Sequence, residues 1–425
     1  MLLVKFENLG KINHFLLPVN PKAHRVACKG SETMDLRKFD QAFLPFEAKL
    51  LAQEELRRRI GVREVDRPTY EKYIIGPIER FDHRRNGFMA SIPGNPFGEE
   101  MRQRLKARGI EGGIPLPPPS YKELEPEDRI GYSLNAAARK LCQEYHPQPL
   151  PQTPHEGRVE VIDRRQMSRL VKKVALFFGA EMVRITRVDP RWVYRDIEIS
   201  HPFAIIAVVS HVRSMNDTAP SHYSGAAVSD TYSRLKFISV QLTDFIRLLG
   251  YDAMYRETLG MYRPEMLMVP MAIDAGVGEF ARNGHVLSPE FGINMRLKAV
   301  TTDLPLEADK PISFGAHEFC MACEQCAEYC PGKAIPFGPP TQEVADPLYN
   351  NPGYRKWYVN AERCLTFWTA NRKKWSTCGG RCIVACPWNK PDKSWHNLIR
   401  RVAIHAPPTV KKMLIWGDKT IYRRG

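Results

Sequence analysis

"FCMACEQCAEYCPGKAI", residues 319–335, carries four cysteines, Cys320, Cys323, Cys326 and Cys330, with Pro331 directly after the last. The spacing is C-x2-C-x2-C-x3-C-P. It lets three thiolates wrap one iron–sulfur cube while the fourth, a helical turn further on, points elsewhere. Disulfide bonding fits poorly. Eight of the ten cysteines fall between 320 and 386, in a chain that is large and shows no export signal, unlike a small secreted scaffold. Zinc would need two separate tetrahedral sites, and C-x2-C-x2-C is tight for that.

A cluster that lends out its fourth cysteine needs a second group nearby. Cys364, Cys378, Cys382 and Cys386 supply it, with Pro387 after the last. In two-cluster ferredoxins the fourth cysteine of such a run ligates the other cluster. The same cross-over assigns Cys320, Cys323, Cys326 and Cys386 to one [4Fe–4S] cluster. Cys330, Cys364, Cys378 and Cys382 hold the other. The second group is irregular, with "CLTFWTANRKKWSTC" and "CGGRC" replacing close steps; Gly379 and Gly380 can relax the turn. A bare two-cluster module needs only a fraction of 425 residues, so the clusters must feed electrons to something upstream. No haem C-x2-C-H and no Rossmann fingerprint occurs.

Upstream, residues 1–155 are rich in Pro, Arg and turn residues, and "HPQPLPQTPHEG" at 146–157 reads as a linker. From about 158 the pattern becomes helix and strand. "DRRQMSRLVKKVALFFG" predicts a helix with Met167, Leu170, Val171, Val174 and Phe177 on one face, stopped by Gly179. "AEMVRITRV" and "PFAIIAVVS" predict strands. "SDTYSRLKFISVQLTDFIRLLGYDA" predicts a long helix with Leu235, Ile238, Leu242, Phe245, Ile246 and Leu249 buried and Gly250 ending it. Gly276, Gly278, Gly284 and Gly292 then punctuate short elements. They are too irregular for a phosphate loop, but suited to close backbone approach to a flat ligand.

The apolar fraction is 43%, so the chain is globular. No apolar run reaches the roughly 18 residues that span a bilayer, and no secretory or twin-arginine leader is evident. These features predict a cytoplasmic protein. The formal charge of +15 favours acidic partners. No Lys/Arg block or basic run interleaved with aromatics suggests a nucleic-acid surface.

Between about 158 and 391 the chain resembles the catalytic subunits of cobalamin-dependent reductive dehalogenases. The likeness rests on "VKKVALFFGAEMVRITRVDPRWVY", "FIRLLGYDA", "VPMAIDAGVGEFARNGHVLSPEFGINMR", "TTDLPLEADKPISFGAHEFCMACEQCAEYCP" and "RKWYVNAERCLTFW…CIVACPWNKP", with a weaker echo in "IERFDHRRNGFMAS" at 78–91. It implies an α+β fold, a nitroreductase-like cobalamin-binding α/β domain followed by a bacterial ferredoxin-like domain with two [4Fe–4S] clusters. The implied division is an N-terminal region 1–155 packing on the core, a cobalamin-binding domain 156–310, a cluster domain 311–392 and a tail 393–425. The corrinoid is expected base-off, and the absence of D-x-H-x-x-G agrees with a family that gives cobalt no histidine. The clusters reduce it to Co(I), carbon–halogen cleavage of a small organohalide releases halide, and a proton replaces the halogen.

By motif position, the resemblance makes Tyr232 the proton donor and Arg296 the cation that stabilises its phenolate, with Arg263 a third polar position. Tyr251 competes with Tyr232 but reads as a packing residue. Val286, Leu287, Ser288, Pro289 and Gly292 of "HVLSPEFG" look like the backbone loop under the corrin. Trp192, Tyr194, Trp357 and Trp368 could line a substrate pocket, although core packing suits any one of them. His201, His211 and His285 receive no role. With no reductase module after Pro387–Gly425, a separate reduced ferredoxin or flavodoxin is expected to deliver electrons. Two other readings remain. One is an epoxyqueuosine reductase-like enzyme acting on tRNA, for which the tail is short; the other is a non-catalytic two-cluster electron-transfer protein.

Overall fold

"PFAIIAVVS" is apolar at every position up to its last, so neither face of the strand it forms can stay wet. The computed structural model describes residues 25–27, 33–35, 37–87, 95–107, 120–152, 157–256, 265–370, 380–390 and 393–422. In it Phe203–Ser210 is an inner strand of a four-stranded antiparallel sheet. The spatial order is Met182–Arg187, Phe203–Ser210, Met295–Thr302, Ala253–Tyr255. Register is set by pairs such as Ile185 with Ile205 and Val209 with Arg296.

The period of two then sorts the strand between two cores. Phe203, Ile205, Ala207 and Val209 pack on helices Arg164–Phe177 and His222–Leu248, against Leu170, Val174, Leu235 and Leu242. Ala204, Ile206 and Val208 face the other way, onto Trp192, Met271 and Ile273 of the helix Met268–Asp274 and its approach. The α+β class follows, with helices on both faces of the sheet.

Two helix expectations need correction. Phe177 is 58% exposed, and its neighbour Leu176 takes the core position at 1%. Phe177 sits instead at a helix end, edge-on to Phe46 from the helix Leu44–Ile60. The long helix also begins seven residues earlier than the apolar pattern shows. Ser221 caps it, its hydroxyl accepting from Ser224 N–H at 3.0 Å. In the first turns, "HYSGAAV", Ser224 to Val228 are small and all buried while Tyr223 is exposed, so no amphipathic period marks them.

The linker reading covers residues 146–157, of which 153–156 lie outside the described residues. Its described part is strapped down. Leu150 N–H donates to Asp244 at 2.8 Å, Gln152 donates to Gly250 O at 2.9 Å, and Tyr255 hydroxyl donates to Pro147 O at 3.1 Å. Downstream, Ala403 and Ile415 of the C-terminal helices Ser394–His405 and Pro408–Tyr422 share a core with Phe319 and Trp388 of the cysteine segment. Among the described residues no helix is long and apolar enough to cross a membrane.

Gly276 and Gly278 let backbone approach backbone, while Gly284 lines a chamber described below. A Cβ on Gly278 would stand 2.0 Å from Leu287 O, across the ladder Glu279–Phe280 with Val286–Leu287. Gly278→Ala is therefore expected to cost about 1–3 kcal/mol, read as a lower thermal midpoint of the cofactor-loaded protein.

A candidate cofactor cavity between the sheet and the cysteine loops

Short helices separated by turns carry the cysteines. Cys320 lies on Ala316–Ala322, Cys326 on Gln325–Glu328, Cys364 on Ala361–Ala370 and Cys382 on Arg381–Val384. The eight described cysteines, seven of them in this region, are all free thiols. Cys320, Cys323, Cys382 and Cys386 share one apolar core. Cys326, Cys330, Cys364 and Cys382 share the next. Cys326 lies within electrostatic reach of Cys320, Cys323, Cys382 and Cys386. Cys378 lies outside the described residues. Among the described residues no three His, Cys, Asp or Glu side chains converge where one metal ion could sit.

Burial pushes the Cys320 thiol up to about 11 and Cys323 to about 12. Backbone N–H groups oppose this, from Arg282 to Cys320 and from Gln325 to Cys323, and Ala334 N–H donates to Cys330 Sγ at 3.3 Å. Amides aimed at buried sulfur stabilise thiolate once a cationic cluster supplies the compensating charge.

The loop geometry is imposed from outside. Arg282, fully buried, donates to Cys320 O at 2.8 Å, Cys323 O at 3.2 Å, Pro336 O at 3.0 Å and Gly338 O at 2.8 Å. Its guanidinium lies 4.6 Å from the Trp357 ring. Nothing in "EFARNG" as a string marks this arginine; only the fold brings it to the cysteines.

A cavity of about 350 Å³ lies between the sheet and these loops. One wall holds Cys330, Cys364 and Cys382. Another holds Tyr232 from the long helix and Arg296 from the sheet. The Arg296 guanidinium lies 5.6 Å from the Tyr232 ring centre. Arg296 donates through Nη1 to Met295 O at 3.0 Å, but its buried Nε has no hydrogen-bond partner among the described residues. His285 also lines this cavity; burial and then the nearby Arg296 charge lower it to about 4, so it is neutral. His211 is lowered by the same causes, and Asn216 donates to its Nδ1 at 2.7 Å. Tyr251 donates to Val159 O at 2.8 Å within the core, a packing role. Arg263 lies outside the described residues.

Of the "HVLSPEFG" residues, Val286 lines the cavity; Leu287, Ser288, Pro289 and Gly292 do not. Leu287 packs with Phe314 and Trp388. Ser288 hydroxyl donates to Glu290 at 2.6 Å, and buried Glu290 pairs with Arg57 of the helix Leu44–Ile60. At Gly292, φ +62°, a Cβ would meet Asn389 Oδ1 at 2.1 Å. Pinned on both sides, the loop presents only its first residues to the cavity.

A second chamber, about 570 Å³, shares Met268, Val269, Val359, Cys364 and Trp368 with the first. All four aromatics singled out in the sequence, Trp192, Tyr194, Trp357 and Trp368, line it, and Phe81, Asn86 and Gly87 arrive from "FDHRRNG". Behind its wall Asp274 accepts from Tyr70 hydroxyl at 2.5 Å and from Trp192 Nε1 at 3.1 Å. Burial pushes Asp274 up to about 7.

The family model described as a 4Fe-4S dicluster domain matches residues 319–390. The tetrachloroethene reductive dehalogenase of Desulfitobacterium hafniense is 31% identical over 294 residues, 57% of this chain and 52% of that protein. Over this span the chain is similar in sequence to the reductive dehalogenases. It spans about half the length of the curated relatives it matches. The solved catabolic reductive dehalogenase NpRdhA has the same fold, with TM-score 0.66 at 24% identity, covering 86% of this chain and 49% of that one. An epoxyqueuosine reductase of Lactococcus garvieae is 31% identical over only 134 residues, 29% of this chain and 32% of its own length.

Two outcomes are expected. Arg282→Met leaves several carbonyls without a donor and removes the charge that holds them, costing about 3–5 kcal/mol; iron per chain after reconstitution should fall below the wild-type value. For Asp274 the folded carboxyl titrates near 7, above its unfolded value, so the folded state holds the extra proton. Stability is then lost as pH rises towards 7, by up to about 1.4 kcal/mol per unit, and levels off above it. Chemical denaturation at pH 5.5, 6.5 and 7.5 should show this slope in the native chain and a shallower one in Asp274→Asn.

Proposed function

We propose that the chain is a reductive dehalogenase acting on an organohalide, with a corrinoid in the cavity and two [4Fe–4S] clusters beside it. One observation carries the reading: Tyr232 and Arg296 line the same cavity as Cys330, Cys364 and Cys382. An acid with its cation, and a cluster-ligand set, have no common use unless electrons and a proton meet between them.

The residues fit the absent groups. The free thiols with their N–H donors suit the assignment of Cys320, Cys323, Cys326 and Cys386 to one cluster. Cys330, Cys364, Cys382 and, by sequence, Cys378 suit the other, which borders the cavity. Val286, Ile293 and Met295 give the cavity apolar wall for a corrin face.

When bound, the corrinoid supplies the reducing metal and the clusters its electrons. Two electrons and one proton convert a carbon–halogen bond into carbon–hydrogen and free halide. Tyr232 gives that proton from its hydroxyl. Arg296, with a buried Nε donor unspent, stabilises the phenolate left behind. The apolar walls exclude water, so the proton comes from this hydroxyl. The basic charge suits an acidic donor such as reduced ferredoxin or flavodoxin.

The test is anaerobic reconstitution with iron, sulfide and cobalamin, followed by halide release from a panel of organohalides. Corrinoid binding and halide release are expected. Tyr232→Phe should keep the corrinoid spectrum and lose about a hundredfold in turnover. Absence of bound corrinoid would leave a two-cluster electron-transfer protein, and queuosine formation in tRNA without halide release would mark the tRNA enzyme.

A further inference from the structure

Lys356 stands out on the wall of the larger chamber, in a place the mechanism above does not use. Its backbone is fixed by paired hydrogen bonds with Thr341, each 3.0 Å. Its ammonium lies 4.8 Å from the Tyr358 ring, 5.8 Å from Phe280 and 5.9 Å from Tyr354. Among the described residues no carboxylate pairs with it; burial alone acts on it, lowering it to about 8, so it is still protonated at neutral pH. Glu279 borders the same small cleft, but its carboxylate accepts from Phe314 N–H at 2.8 Å and Ala316 N–H at 3.0 Å.

An aromatic cage offsets part of the cost of a buried ammonium but gives no hydrogen-bond acceptor of full strength. A cation left so, at the edge of a large chamber, is matched by a ligand that brings its own charge. We propose that Lys356 is an anion anchor, binding an oxyanion that enters the larger chamber. Resting on the function proposed above, the anion has two sources: the phosphodiester of the corrinoid's nucleotide loop, or the carboxylate or phenolate of an anionic organohalide.

The two sources separate in binding experiments on the cluster-loaded chain. Cobalamin and cobinamide, which lacks the nucleotide loop, are titrated spectroscopically into wild type, Lys356→Met and Lys356→Arg. A halobenzoate and a neutral halobenzene are titrated by tryptophan fluorescence. If the phosphodiester is the ligand, Lys356→Met weakens cobalamin about tenfold, leaves cobinamide unchanged, and Lys356→Arg retains affinity. If the substrate is the ligand, Lys356→Met weakens the halobenzoate about tenfold and spares both corrinoids and the halobenzene. Equal binding of cobalamin, cobinamide and halobenzoate by Lys356→Met and wild type overturns the anchor. Should wild type bind neither corrinoid, the dehalogenase reading fails and the halobenzoate titration alone decides Lys356. Iron per chain controls for folding; if Lys356→Met does not load iron, Lys356→Gln carries the comparison.

Discussion

A buried guanidinium holds the two halves of this protein together. Arg282 has no water to solvate it, and a lone charge there would cost several kcal/mol. Four backbone carbonyls and the face of Trp357 take water's place, and all belong to the cysteine segments or the chain that follows them. Three residues earlier, buried Glu279 accepts from Phe314 and Ala316, at the entrance to the first cysteine helix. A four-residue stretch beyond the sheet thus presents an anion to one end of the cluster module and a cation to its loop. These two charges hold the loop that carries Cys320 and Cys323 in place.

The same logic shapes the cavity. Its walls are mostly apolar, and its histidine is held neutral by burial and by the Arg296 charge. Arg296 is then the cation beside Tyr232, in a medium where its field is weakly screened. The strand bearing Arg296 pairs with the most buried strand of the sheet, so a flexible basic side chain starts from a rigid base. The loop before it is equally constrained, by Arg57 on one flank and Asn389 on the other.

Much of this could be read along the chain. Cysteine spacing identified the cluster module because iron–sulfur ligation tolerates few arrangements. Both core helices followed from an apolar period of 3.6, and the central strand from a continuous apolar run. Tyr232 and Arg296 came from motif position, and the fold sets them in one cavity. What escaped was long-range. Gly276 and Gly278 admit neighbouring backbone; most of "HVLSPEFG" supports the cavity rather than lining it; a Pro-rich linker is tied to a helix.

The sequence by itself determined the dicluster segment, most of the elements and the family likeness, because thiol spacing and hydrophobic period are local quantities. Which cysteines border the cavity was decided by tertiary structure. So were the shelter given to Arg282 and the ring of aromatic side chains around Lys356. Each depends on residues tens to hundreds of positions apart meeting in a space from which water is excluded, and no local pattern encodes that desolvation.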